Sequence, residues 1–539
     1  MIPFRMPAAE PVPQWRPAEI VLASQVERED PFAEVEVDVE FTAASGTLVR
    51  RPAFWDGGTV WRVRFAPVET GEWSWRSVCT DPADNGLHAV SGTLSCVPNA
   101  GTTPVDRHGF LRASGDRRRF EHRDGTPFFW LGDTHWLMPD TERIDECNHP
   151  AHGGGPCPFG GQFQHLASVR RDQGFTVYQL YPEPGRSHWW SDAARTRIDP
   201  ARFQSVFDPE MDHLAGLGFV MAVGLGHYTN SVRMPPEVLR RWARYVTARY
   251  GAHPVVWITC QEMNCPPGPG GGPCNEQSVW EAVAREIDRA NGHRHPHSAH
   301  QWVVDPGVRP VWREAWHTWF ALQGGHRGSG LAPLSRYRAY RACEPVRPVI
   351  ETEAMYEKVD CGGIADAGDA RRAAWRAFLA GCAGYTYGGA GIWALKWDED
   401  DPAWKDYNHE VSAWHEGMDL PAAKQMRPLR DFFEAMDWTS LEPRFDDPAW
   451  SRFDEPEACV LSTADGNRRY LVYCHGTTAR GELRGLPPGA ACSRRWIDPR
   501  TGAPFGAAVS CAASPGGVVP MPEKPDSQDW LFELGLSGE

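Results

Sequence analysis

Between about residues 108 and 435, short apolar runs alternate with longer stretches of helical periodicity. No other feature constrains the fold as strongly. Strand candidates are Phe128–Leu131, Phe175–Leu180, Phe219–Gly224, Val255–Thr259, His297–Val303, Trp319–Leu322, Pro348–Glu353 and Gly384–Ile392. Helical stretches are expected between them at Phe163–Gln173, Pro209–Leu217, Pro235–Tyr250, Glu276–Ala290, Pro333–Cys343 and Asp369–Ala380. Apolar strands separated by helices make a parallel sheet, because each crossover helix covers one face of it. Eight such units in roughly 325 residues match a (β/α)8 TIM barrel with insertions. A doubly wound sheet is the rival, but no GxGxxG turn follows an early strand.

The flanks have a different rhythm. Residues 1–100 read as an N-terminal β-sandwich of short strands and Gly/Pro turns. Within it Ala33–Phe41 alternates with Val35, Val37 and Val39 on one face, and Trp61, Val63 and Phe65 alternate with Val60, Arg62 and Arg64. The barrel is expected over 108–440. Short strands return at Tyr470–Tyr473, Ser493–Ile497 and Trp530–Leu534, so 455–539 reads as a small C-terminal β-sandwich.

In a (β/α)8 barrel the active site lies at the C-terminal ends of the strands. Strand one runs into Gly132-Asp133-Thr134-His135-Trp136, strand two into Gln179-Leu180-Tyr181, and strand three into His227-Tyr228. Strand four runs into Cys260-Gln261-Glu262-Met263-Asn264 and strand six into Gln323-Gly324-Gly325-His326. Strand seven runs through Glu351, Glu353, Tyr356 and Glu357, and strand eight carries Tyr385, Tyr387 and then Trp393. Buried polar groups left unpaired cost about 1–3 kcal/mol each. Their convergence at one end of a barrel therefore implies a ligand that pairs with them. The expected contacts are Asp133, His135, Trp136, Gln179, Tyr181, His227, Tyr228, Gln323, His326, Tyr356, Tyr385, Tyr387 and Trp393. Asp133 would grip two sugar hydroxyls, and the aromatic rings, with Trp189 and Trp190, would stack on apolar sugar faces.

Glu262 and Glu353 each follow an apolar run by three positions, on strands that lie across the barrel mouth from one another. Two carboxyl groups facing over a cleft are what glycoside hydrolysis requires. One donates a proton to the leaving oxygen, and the other attacks the anomeric carbon or activates water. Glu351 and Glu353 are two apart in a strand, which predicts a shared face with Glu351 deeper. Glu357 is a further candidate. The expected chemistry is retaining, with Glu262 as acid/base and Glu353 as nucleophile. Retention calls for carboxyls about 5–5.5 Å apart and inversion for about 6.5–9.5 Å.

Other classes are disfavoured. The net charge of −15 argues against a nucleic-acid or anionic-membrane partner. No apolar run is long enough to span a membrane. The proline-broken start has no signal-peptide core, which reads as cytoplasmic, or as secreted or periplasmic if the start is trimmed. No cofactor or metal is expected: His293, His295, His297 and His300 crowd one stretch but lack zinc-site spacing. The 14 cysteines form no CxxC pair and are expected to be free thiols, although Cys260 and Cys265, and Cys147 and Cys157, could meet in loops. A serine or cysteine hydrolase lacks its GxSxG or helix-start cysteine. A non-catalytic carbohydrate-binding barrel, or a structural protein, stays open as the alternative.

FFWLGDTHW (128–136), GFTVYQLY (174–181), VVWITCQEMN (255–264), HTWFALQGGH (317–326), PVIETEAMYE (348–357) and AGYTYGGAGIW (383–393) together carry a resemblance. Residues 108–435 resemble the apiosidase-like (β/α)8 glycoside hydrolase family, DUF4038-type. The N-terminal stretch resembles the DUF5060-type β-sandwich that precedes this barrel. The YLVYCHG and WIDPRTG pieces resemble a collagen-binding-type β domain that follows it. The resemblance implies hydrolysis of glycosidic bonds in plant or microbial polysaccharides, with the carboxylates of strands four and seven falling on Glu262 and Glu353. It also implies a substrate contact for Asp133. Glu262 reaches one methylene further than the Asp common there, and Thr352 and Ala354 replace a Gly and a Pro.

Overall fold

The computed structural model describes residues 5–7, 10–263, 277–302, 310–326, 330–402, 407–478 and 480–537. Asn264, Cys265 and Val303 lie outside the described residues. Eight strands form one sheet: β1 (Trp130–Thr134), β2 (Val177–Leu180), β3 (Val220–Gly224), β4 (Val255–Ile258), β5 (His297–Ser298), β6 (Phe320–Gln323), β7 (Val349–Glu353) and β8 (Gly384–Tyr387). Their order is β5-β4-β3-β2-β1-β8-β7-β6, and every ladder is parallel. The two outermost strands meet at a parallel bridge between His300 and Ala321, where Thr318 N also donates to His297 O at 2.7 Å. The sheet therefore closes into a barrel. Helices α1 (Gln162–Asp172), α2 (Asp208–Leu217), α3 (Pro236–Tyr250) and α4 (Gln277–Ala290) follow the first four strands. After them, α5 (Leu334–Arg341), α6 (Ala367–Leu379) and α7 (Pro421–Glu434) follow β6, β7 and β8. Between β5 and β6 the described residues hold only the 3₁₀ turn Pro310–Arg313. Helix α6 starts where Asp366 and Asp369 bond reciprocally to each other's backbone N–H, a capping box.

Alternate residues of each strand enter different cores. Trp130, Val177, Ala222, Ile258, Trp319 and Ile350 point into the barrel, where Leu111, Phe120 and Phe128 of a small three-stranded sheet pack against them. Leu131, Tyr178, Val223, Trp257, Leu322 and Tyr385 point outward and pack under the helices. Strand β1 reaches Thr134, three residues beyond the end expected from its apolar run. That shift decides the fate of Asp133.

The N-terminal region is a sandwich of a four- and a five-stranded sheet. Trp61, Val63 and Phe65 face Val37, Val39, Phe41 and Trp73 across its core. The expected strand from Ala33 begins only at Val37, because Asp30 caps a helical turn at Pro31–Glu34. Arg64, on the other face of its strand, crosses to the barrel. It donates to both oxygens of Asp208 at 3.1 and 2.5 Å, and Arg249 donates to the same two at 2.8 Å each. Arg51 caps the C-terminal carbonyls of α3 and α4, donating to Thr247, Ala248 and Ala290. Positive charge there is favoured by the helix dipoles.

The C-terminal region pairs a six-stranded sheet with a three-stranded one, and its first strand is already Glu442–Pro443. It docks on α6 through Arg371–Asp529 and a stacked Trp375–Tyr473 pair. Cys492 and Cys511 are cross-strand neighbours there and form a disulfide, where free thiols were expected. Among the described residues no helix is long and apolar enough to cross a membrane.

Asp208 neutralises two almost wholly buried guanidinium groups at once. Asp208→Ala is expected to cost about 3–5 kcal/mol, the penalty for stranding a buried charge. Urea unfolding followed by tryptophan fluorescence checks it, and a loss under about 1 kcal/mol would show that the network does not weld the sandwich to the barrel.

Candidate active site

The barrel mouth is shaped by an irregularity in β7. Leu322 pairs with Glu351 but the next residue, Gln323, pairs with Glu353, so Thr352 is an extra residue on β7. An extra residue reverses the in–out alternation beyond it. Ile350 points into the barrel and Glu351 points out, fully buried and accepting a 2.6 Å hydrogen bond from Tyr337 Oη on α5. Burial pushes the Glu351 carboxyl up to about 7. Past Thr352, Glu353 turns back into the mouth. Glu351 and Glu353 therefore do not share a face, contrary to the period-two expectation. Glu357 also faces away and accepts from Tyr387 Oη at 2.8 Å and Ala422 N at 3.0 Å. Of the three acidic residues, Glu353 is the one at the mouth.

Glu353 is buried and well furnished. His326 Nε2 lies 3.0 Å from its Oε1 and His300 Nε2 lies 3.3 Å from its Oε2. Gln261 Nε2 donates to Oε2 at 3.3 Å. Burial opposes ionisation of this carboxyl, but the two imidazoles outweigh it and hold the group well below the usual carboxylate range. Glu353 in turn raises His326 above the ordinary imidazole value against the effect of burial.

Glu262 follows β4 with φ 55°, the left-handed region that side chains other than Gly avoid. That conformation costs of order 1–3 kcal/mol, and its neighbours enforce it. Gln261 N donates to Gly226 O at 2.9 Å, Tyr228 N donates to Gln261 O at 3.1 Å, and Met263 N donates to His300 O at 2.9 Å. The Glu262 side chain is 18% exposed against 5% for Glu353, so it forms the rim above a deeper carboxylate. Gln323 Nε2 donates to Glu262 Oε1 at 3.2 Å, and His227 Nε2 lies 3.9 Å from Oε2. Partial burial raises the Glu262 carboxyl, and the negative charge on Glu353 raises it further. Burial pulls His227 down to about 4, so at neutral pH it is an uncharged neighbour.

Aromatic rings line the same mouth. Trp136 Nε1 donates to Tyr356 Oη at 3.1 Å, and the Trp136 ring meets those of Tyr181 and His300 at 5.5 Å each. Tyr356 continues to His326 at 5.1 Å and to Trp393 at 6.3 Å. A Cβ on Gly388 would lie 2.3 Å from the Tyr356 ring, so the ring occupies space that only glycine leaves. Tyr407, outside the expected set, stands exposed beyond Trp393 at 6.2 Å. Tyr228 packs on His227 at 4.3 Å and is partly exposed.

Several expected contacts belong to the scaffold. Asp133 sits within β1 and points out of the barrel, fully buried. Its Oδ2 takes Arg170 Nε at 2.5 Å and His135 Nε2 at 2.9 Å, and its Oδ1 takes Thr134 N at 3.0 Å. His135 Nδ1 lies 2.6 Å from Glu142 Oε1, and its ring stacks at 3.8 Å on Tyr178, whose hydroxyl donates to Glu142 Oε2. Asp133 and His135 thus brace the wall and offer nothing to a ligand. Tyr385 donates to Ala370 O on α6 and Tyr387 to Glu357, both beneath the helices. Gln179 lies under the floor, where its Nε2 donates to Thr352 O at 2.8 Å and so holds the extra residue of β7. Trp189 and Trp190 pack on Trp242 in the core. His293, His295 and His297 bond separately to Ala66 O, Gly251 O and Thr259 Oγ1. Gln261 and His300 are the contacts that the sequence reading did not select. Both stand beside elements it placed at the mouth.

Comparison with known proteins identifies the barrel's family. The profile described as "Apiosidase-like, catalytic domain" matches residues 114–440, and the domain of unknown function DUF5060 matches residues 11–80. No curated protein matches the chain. Among solved structures, a candidate glycoside hydrolase from Bacteroides vulgatus ATCC 8482 superposes with a TM-score of 0.70 at 18% identity, covering 98% of this chain and 100% of that one. A glycoside hydrolase family 5 protein from the same organism gives 0.62 at 19% identity over 80% of this chain and 95% of that one. At such identities the likeness concerns the fold.

His326→Phe removes one of the two imidazoles that hold Glu353 ionised. The carboxyl pKa is expected to rise, read by infrared difference titration with Glu353→Gln assigning the band. An unchanged titration would mean that the imidazole is not what lowers it.

Proposed function

The chain belongs to the apiosidase-like family and is a glycosidase, and from that premise we propose that it cleaves plant or microbial oligo- or polysaccharides by a retaining mechanism with Glu353 as nucleophile and Glu262 as acid/base. One observation carries this reading. Two carboxyl groups share one mouth, and their surroundings drive their proton affinities apart. Such a split is how a site assigns one carboxyl to donate a proton and the other to attack.

In the first step Glu262 gives its proton to the leaving glycosidic oxygen while Glu353 attacks the anomeric carbon. The bond to the leaving oxygen breaks and a glycosyl ester forms on Glu353. The ester carries no charge, so the repulsion that raised Glu262 disappears. Glu262, now ionised, takes a proton from water as the water oxygen attacks the anomeric carbon and Glu353 leaves as carboxylate. Both carboxyls return to their starting states. The pair is held in place by shared neighbours: Gln261 holds Glu353, its neighbour Glu262 is held by Gln323, and His300 lies against both segments. Trp393 and Tyr407 supply apolar surface for a sugar ring, with the buried Trp136 and Tyr356 as backing.

Glu262→Gln is expected to lower kcat about 10²–10⁴-fold, and Glu353→Gln at least as far, with folding retained. The assay is a panel of pectic and hemicellulosic oligosaccharides, with the first-released anomer read by NMR. Near-normal turnover of Glu353→Gln, or an inverted first product, would overturn the assignment. Activity should fall as pH rises through the raised pKa of Glu262, which must be protonated. It should also fall as pH drops through the lowered pKa of Glu353, which must be ionised. The alkaline limb should vanish in Glu262→Gln assayed with a good leaving group.

A further inference from the structure

The loop between β1 and α1 gathers metal-ligating groups that the hydrolytic chemistry does not use. Cys147 Sγ, Cys157 Sγ and an imidazole nitrogen of His152 lie within 4.8 Å of one another. Cys157 Sγ is 3.8 Å from His152 Nε2, and both cysteines are free thiols. We propose that these three residues bind a zinc-class divalent cation that pins this loop as a wall beside the active-site mouth.

The local backbone builds the site. His149 caps the 3₁₀ turn Pro150–His152 by accepting from Ala151 N through Nδ1, which presents His152. Gly153 and Gly154 follow with φ 57° and 77°, the left-handed turn that folds Cys157 back toward Cys147. Two sulfurs and an imidazole are borderline-soft donors that select zinc over magnesium or calcium, which need oxygen. His165 stands next to the cluster without being one of its three ligands. Its ring is 5.3 Å from that of His152, and its Nδ1 is buried without a hydrogen-bond partner. Metal entry displaces the two thiol protons to solvent.

The loop has work to do at this position. It begins at Glu142, which fixes His135 and Tyr178. Through Asn148 it bonds to Trp397 O at 2.9 Å and to Trp414 Nε1 at 2.6 Å, both in the stretch after β8 that carries Trp393. A metal at Cys147, His152 and Cys157 would fasten the stretch of this loop that runs from the Asn148 anchor toward α1. The ligands touch neither Glu262 nor Glu353, so the site is structural.

The test loads the full-length reduced protein with Zn²⁺, desalts it, and measures bound metal by mass spectrometry. About one zinc per chain is expected, against background for Cys147→Ser/Cys157→Ser. Co²⁺ loading of the wild type should give a thiolate-to-metal charge-transfer band with intense tetrahedral visible bands. That reading needs no variant to fold. Chelation should lower Tm in the wild type and leave the double variant unmoved. Equal metal in wild type and double variant would overturn the proposal. So would the absence of the thiolate-to-metal charge-transfer band from Co²⁺-loaded wild type.

Discussion

A side chain on a strand of a closed parallel barrel has two places to go, inward or under the helices, and successive residues alternate between them. This rule sorts the polar residues near the mouth more decisively than their chemistry does. Asp133, Tyr178, Glu351, Tyr385 and Tyr387 are polar and sit at or near strand ends, yet their parity sends them outward into buried scaffold bonds. Gln179 and Gln323 have inward parity. The bulge at Thr352 is what gives Glu353 a place among them. Without that extra residue, Glu353 would follow Glu351 under α5 and the mouth would lose its deep carboxylate.

The bulge would have no value if burial simply protonated the group it delivers. A carboxyl taken out of water is driven neutral unless charge or hydrogen bonds compensate. His300 and His326 supply that compensation from β5 and β6, the two strands whose meeting closes the barrel. Barrel closure and the ionisation of Glu353 are therefore linked: the His300–Ala321 bridge sets the position of the imidazole that Glu353 needs. Glu262 feels the result directly, since the charge kept on Glu353 is one of the reasons its own proton is retained.

The barrel was legible because its evidence is periodic. Apolar runs fix strand order and helices fill the gaps, and each of the six expected helices is present within two residues of its expected ends. That Glu262 and Glu353 come level with the mouth was legible for the same reason, since residues just past an apolar run land at the height of the C-terminal rim, but the inward turn of Glu353 was not. What failed was finer than the period can resolve. Strand β1 continues through the polar Gly132-Asp133-Thr134, where hydropathy suggests a loop, and this moves Asp133 from rim to scaffold. A bulge leaves no mark in a count of apolar residues, so Glu351 and Glu353 were expected on one face. His300 follows a two-residue strand, too short to show alternation. The Trp189–Trp190 pair is aromatic for the sake of packing on Trp242, and composition cannot distinguish that from a sugar platform.

The outward residues that resemble a site explain something about the inward ones. Asp133, Arg170, His135, Glu142 and Tyr178 form a continuous buried polar chain, and burying charges in this way gains little stability over an apolar core. What such a chain does provide is position, because each bond has a direction that an apolar contact lacks. Here the chain ties β1 to β2, to α1 and to the loop that carries Cys147, His152 and Cys157. Trp136 is the next residue after His135, and its indole reaches Tyr356 and His300. The aromatic wall thus inherits its placement from a charged network one residue away. A wall built on loops at the end of a barrel needs rigid backing, since a misplacement of about 1 Å can cost 10²-fold in rate. Backing it with directional bonds is a physical reason for burying so much charge where no substrate reaches.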